Sequence, residues 1–246
     1  MAGHNKWSKI KHRKAAVEKK KTKVWSKVSK AIMVAARHGG PDPDSNLALR
    51  YAVDEARYAN MPKDTIQRAI DKGAGAGAGS DWESLVYEGY GPGGVAVLVD
   101  ALTDNRTRTA GDVRLIFNNH GGNLGTTGCV SFMFSVKGQI FVPRAALPED
   151  EMLELALEAG ADDVVLPDDA DEDAMYEILT PAAAFLGVRQ ALEARGLPIE
   201  QAEVTKIAEN TVRLEGEQAT TLSELLEALD DNDDVQKVYS NALVDD

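Results

Sequence analysis

The sequence predicts an α+β multidomain fold: a three-helix N-terminal domain followed by two ferredoxin-like α/β domains, the third inserted into the second. Three observations predict it. Apolar residues between 17 and 72 recur at helical spacing, residues 73 to 79 alternate glycine and alanine, and beyond them short β-branched runs alternate with helical ones. The expected boundaries are 1–75 for the helical part, 80–136 plus 204–246 for the first α/β part, and 137–203 for the inserted one.

The first helix is read from a wheel drawn over residues 6 to 37. Lys6, Lys9, Arg13, Lys20, Lys23, Lys27, Lys30 and Arg37 share one arc, and Val17, Val24, Val28, Ala31, Ile32 and Ala35 fall on the other side. One face is built to pack and the other to meet charge, with Gly39 and Gly40 as the stop before the Pro41-Asp42-Pro43 turn. Regular helix is expected from about Val17. Before it, Gly3, His4 and Asn5 disfavour helix, so Lys6 to Lys14 reads as an arm that orders on its target. Trp25 lies beside the apolar arc and is expected in the core rather than as a stacking platform.

A second helix is expected at 45–60 with Asp44 or Ser45 as N-cap, and a third at 62–72 with Pro62 at its start and Gly73 after its end. Leu47, Tyr51, Met61, Ile66 and Ile70 would close a small helical core. Gly73 to Gly79 carries no charge or bulky group and reads as a hinge; a phosphate-cradling loop would need a Lys-Ser or Lys-Thr pair after it and a strand before it, and has neither.

Strands are expected at 85–90 and 95–102 around the Gly91-Pro92-Gly93-Gly94 turn, then a helix at 107–120 and a strand at 130–136. The series continues with strands at 139–142, 163–166, 174–179 and 202–207, helices at 149–159 and 181–195, and Leu214, a helix at 221–229 and a strand at 235–239 to close. The acidic runs 168–173 and 230–234 lack the alternating ligands, central glycine and distal glutamate of calcium loops and read as solvated turns.

Charge separates along the chain. The net charge is -13, yet residues 1 to 40 hold 12 Lys or Arg against the single acid Glu18, which leaves 15 basic and 39 acidic residues beyond them. A lysine-rich helix can be a solvated face, but twelve to one in forty residues points to a polyanion at one end and repulsion of it at the other. The phosphate contacts are expected from Lys6, Lys9, Lys11, Arg13, Lys14, Lys20, Lys23 and Lys27, with Trp7 or His12 stacking on bases or ribose.

A catalytic constellation is not expected. His4, His12, His38 and His120 are widely spread, and Cys129, the one cysteine, can form neither an intramolecular disulfide nor a cysteine-rich zinc site. No cofactor and no metal are predicted. The best apolar run, Val95 to Val99, ends at Asp100 and is far too short to span a bilayer, so a cytoplasmic protein without membrane contact is expected. Arg106 and Arg108, with Thr103, Thr107 and Thr109 around a predicted helix start, are a second candidate phosphate site. The competing reading is that Asp104 or Thr107 caps the helix and the arginines pair with acids.

These residues also carry a resemblance. Met1-Ala2-Gly3-His4, Lys6-Trp7, His12-Arg13-Lys14-Ala15-Ala16, Tyr87 to Gly94, Asp104-Asn105-Arg106, Gly121 to Gly125, Glu158 to Ala161 and Asp233 to Gln236 resemble the bacterial YebC family over essentially the whole chain. Cys129 departs from the serine usual there. The resemblance implies one helical and two α/β domains and two competing roles: a DNA-binding transcriptional regulator, or a ribosome-associated translation factor such as the mitochondrial relative that activates translation of a cytochrome oxidase subunit. Both need phosphate attraction. The flexible arm and the absence of a clear recognition helix favour irregular RNA, so ribosomal RNA and the ribosome are the expected partners, DNA the alternative, and a monomer the expected state.

Overall fold

The structure, a computed structural model, describes residues 17–75, 82–167 and 174–244. The chain forms two compact units, one from 1–135 with 208–246 and one from 136–207, so the second is an excursion from the first.

The first unit opens with helices α1 (Val17–Gly39), α2 (Leu47–Tyr58) and α3 (Lys63–Ala74). Their facing apolar stripes bury Val28, Ile32, Ala36, Leu49, Ala56, Ile66 and Ile70 in one cluster, with Trp25 packed against it and its indole N–H donating to the Ala59 carbonyl at 3.0 Å. The expectation that Trp25 belongs to the core is met. Gly73 is not a stop signal: it lies inside α3, where a Cβ would come 2.7 Å from the Cα of Met33. Glycine is there because two helix backbones touch. The N-cap of α2 is Asn46, not Asp44 or Ser45, with its side-chain oxygen accepting from Leu49 N at 3.1 Å. Leu47, expected in the core, is 51% exposed at the first position of α2.

The same unit continues with an antiparallel sheet in the order β3-β1-β2-β9, built from β1 (Glu83–Tyr90), β2 (Ala96–Thr103), β3 (Asn123–Leu124) and β9 (Val235–Ser240). Helices α4 (Arg106–Asn119) and α7 (Gly216–Asp230) cover one face, burying Val97, Val99, Phe117, Leu222 and Leu225. A parallel pair, β8 (Val212–Leu214) and β10 (Ala242–Val244), flanks this core. Gly89 is required by close approach, since a Cβ would meet the Asn123 carbonyl at 2.6 Å and prevent β3 from pairing with β1.

The opposite sheet face is closed by residues 129–134 over Ala96 and Leu98. Glu88 holds that segment. Its buried carboxylate accepts from the backbone N–H groups of Gly128 (2.7 Å), Val130 (2.8 Å) and Ser131 (2.8 Å). Burial would raise its pKa, and these bonds outweigh burial and hold it below the usual glutamate range. The strand expected at 130–136 is therefore met only from Phe134, because Ser131–Met133 forms a 3-10 turn ahead of it.

The second unit is a β-α-β-β-α-β chain: β4 (Phe134–Pro143), α5 (Glu149–Glu158), β5 (Asp163–Val165), β6 (Met175–Pro181), α6 (Phe185–Ala194) and β7 (Gln201–Ala208). Its sheet order, β5-β6-β4-β7, is that of a ferredoxin-like fold. Ile140, Val142, Ile178, Met152, Val188 and Leu192 are fully buried. α6 starts four residues later than expected because Pro181 ends β6. α7 starts earlier than expected, at Gly216 rather than Thr221.

Candidate nucleic-acid interface

The basic helix meets the rest of its own unit through charge. Lys23, Lys27 and Lys30 recur at four and three residues and so lie on one face of α1. Across from them α7 ends in Asp230, followed by Asp231, Asp233 and Asp234 before β9. A helix C-terminus already carries partial negative charge, so carboxylates there demand cations. Lys23 Nζ lies 3.0 Å from Asp231, and Lys27 Nζ bonds both the Asp230 carbonyl and its carboxylate, the latter at 3.2 Å. Lys30 Nζ donates to the Asp233 carbonyl at 2.7 Å, stands 3.8 Å from Asp234 and covers the Trp82 ring at 4.8 Å. Lys237 and Glu55 add a pair between β9 and α2 at 3.6 Å.

Asp234 extends this arrangement to the start of α4. Its buried Oδ2 accepts from Arg108 at 2.7 Å and from the Thr109 hydroxyl at 2.8 Å, with the Thr103 hydroxyl at 3.2 Å. Burial would push the carboxyl up, but the bonds from Arg108 and Thr109 and the charges of Arg108 and Lys30 hold it below the usual aspartate range. Arg108 also pairs with Asp104 at 3.0 Å. Asn105, rather than Asp104 or Thr107, caps α4 through a bond from Arg108 N at 3.0 Å.

The expected phosphate ligands thus divide into groups. Lys6, Trp7, Lys9, Lys11, His12, Arg13 and Lys14 lie outside the described residues, and Lys20 falls on α1. Lys23 and Lys27 face the acidic turn, and Lys27 is almost fully enclosed there. Lys21 is exposed, its ammonium over the Trp25 ring at 5.4 Å. Of the two candidate arginines, Arg108 follows the ion-pair reading, while Arg106 is exposed on the first turn of α4. The 230–234 run is not merely a solvated turn. Sequence reasoning missed its union with α1 because the partners stand 203 to 208 positions apart; the only signal was two opposite charge runs in one chain. Among the described residues no group of His, Cys, Asp and Glu is placed to hold a metal ion. None of the described helices is long and apolar enough to cross a membrane. The Cys129 thiol is pushed up by burial and by the Glu88 carboxylate, which makes it a poor nucleophile.

Helices first and two sheet-bearing parts after them define an α+β protein with a strongly basic leading end. Residues 5–76 match the model of the TACO1/YebC protein N-terminal domain, and residues 82–242 match that of the TACO1/YebC second and third domain. The chain belongs to the TACO1/YebC family. A probable transcriptional regulatory protein from Geobacter sulfurreducens is 53% identical over 98% of this chain and 95% of its own length. One of the same description from Desulforapulum autotrophicum is 52% identical over 100% and 98%. The crystal structure of a conserved hypothetical protein from Aquifex aeolicus is 46% identical, with a TM-score of 0.84 over 98% of this chain and 97% of that one.

Proposed function

We propose that this protein regulates gene expression by binding nucleic acid without chemistry of its own, and that its target is ribosomal RNA on the translating ribosome. The observation that carries the reading is the segregation of charge: 12 basic residues against one acid in the first 40, on a chain of net charge -13. Residues 1–75 are the binding part. Lys6, Lys9, Lys11, Arg13, Lys14 and Lys20 contact phosphate, Trp7 or His12 stacks, and Arg106 adds an exposed cation elsewhere on the same unit.

Physical chemistry favours RNA over a major groove. An irregular RNA surface admits an arm that folds on contact, whereas groove reading needs a rigid helix with free polar side chains aimed at base edges. On α1 the face from Lys23 to Lys30 is already engaged with the acidic turn. The names of the relatives favour a second reading, a DNA-binding transcriptional regulator, in which α2 or α3 meets the duplex as part of a dimer on symmetric half-sites.

Sedimentation of lysate through a sucrose gradient separates the two. Migration with ribosomes that is lost on ribonuclease treatment and on deletion of residues 1–20 is the expected result. Protein at the top of the gradient, with DNA recovered beside it, moves the assignment to transcription.

A further inference from the structure

The helical core and the sheet core of the first unit share no residue, and among the described residues Lys23, Lys27 and Lys30 of the first reach carboxylates and the backbone carbonyls of Asp230 and Asp233 beside the second. Lys23 with Asp231, Lys27 with Asp230, Lys30 with Asp233 and Asp234, and Glu55 with Lys237 hold α1 and α2 against the end of α7 and β9. The outer pair of Lys23 with Asp231 is weak and sensitive to salt, whereas the enclosed Lys27 leaves the joint only when another anion takes over its ammonium group. The oxygens of the acidic turn occupy ammonium groups on the helix that continues directly from the basic arm. They do to Lys23 and Lys27 what phosphate oxygens of a nucleic acid would do.

We propose that the acidic turn Asp230–Asp234 is an intramolecular competitor for the nucleic-acid site, a latch that covers Lys23 and Lys27 until phosphates arriving along the arm displace it. The inference rests on the reading of the arm as a phosphate binder and adds its regulation. With the latch closed, the arm alone meets the polyanion; with it open, the contact lengthens by the two ammonium groups of Lys23 and Lys27, while Lys30 and Glu55 keep their partners.

A four-way comparison tests this, using fluorescence anisotropy with a single-stranded RNA oligomer at several salt concentrations on the full chain. The proteins are the wild type, Asp230→Asn/Asp231→Asn, Lys23→Gln/Lys27→Gln, and the combination. The latch predicts that the Asp variant binds about threefold to tenfold tighter, with a logarithmic salt slope steeper by about 1.4 for two added contacts. It also predicts that removing the lysines changes wild-type affinity less than about twofold yet abolishes the gain in the Asp background. Strictly additive effects, as from loss of distant negative charge alone, overturn the proposal. The Lys23 and Asp231 pair, at the exposed end, repeats the comparison if the Lys27 variant does not fold. Lys9→Glu/Arg13→Glu in every background separates the two ideas. Lost binding with an additive comparison leaves the arm and removes the latch; retained binding removes the arm and with it a latch that phosphates arriving along the arm displace; no binding by any of the proteins removes both.

Discussion

Asp234 joins three segments distant in sequence, since Lys30, Thr103, Arg108 and Thr109 all converge on one carboxylate. Folding lowers its pKa, so the unfolded chain holds the proton more tightly. The stabilisation is complete above the ordinary aspartate range and is lost as pH falls through the folded value. Asp234→Asn is expected to cost about 1–3 kcal/mol at pH 7 and less near pH 3, below the ordinary aspartate value. Thermal melts of both proteins at the two pH values check this; an equal difference at both contradicts it. Glu88 works by hydrogen bonding in one place. Glu88→Ala leaves three backbone N–H groups without their acceptor, each costing about 1–3 kcal/mol if water does not replace it. Urea unfolding should show the loss, with Glu88→Gln milder because one oxygen remains.

At the scale of elements, the helix crossing at Gly73 has a built-in control. Gly73→Ala drives a methyl into the backbone of Met33 and is expected to destabilise by about 1–3 kcal/mol. Gly111→Ala on α4, where a Cβ meets nothing within 4 Å, should stabilise by about 0.5–1 kcal/mol. Midpoints in urea moving in opposite directions confirm the distinction; a shared direction refutes it. Most elements were legible in the sequence because period and punctuation coincide: the α1 stripe through Val28 and Ile32, Pro62 before α3, the turn at Gly91–Gly94, the α5 and α6 patterns. The misread positions are those where tertiary structure overrides local preference. Gly73 looks like a stop and is a close approach, the first half of Val130–Val136 looks like strand and is held in a turn by Glu88 before the chain extends from Phe134, and Leu47 looks like core and faces water. Of the candidate site, the basic face of α1 was legible from spacing alone. Its acidic partner was not, because an ion pair across 200 residues leaves no local pattern.

For the whole molecule, the segregation of 12 basic residues against one acid in the first 40 would draw that end toward a polyanion and repel it from the rest, as the proposed function requires. Charge reversal at Lys9, Arg13 and Lys20 should weaken RNA binding whatever the sequence of the RNA, and the same change at Arg189 and Arg195, on the second unit, should have little effect. Equal losses at both places would take the arm out of the account. The most direct test is the salt dependence of single-stranded RNA binding by the full chain and by a chain lacking residues 1–20. If six basic groups engage phosphate, the full chain shows a logarithmic slope of about -4 and the shortened chain a much shallower one. The same slope for both would contradict the claim that the basic N-terminus is the nucleic-acid grip.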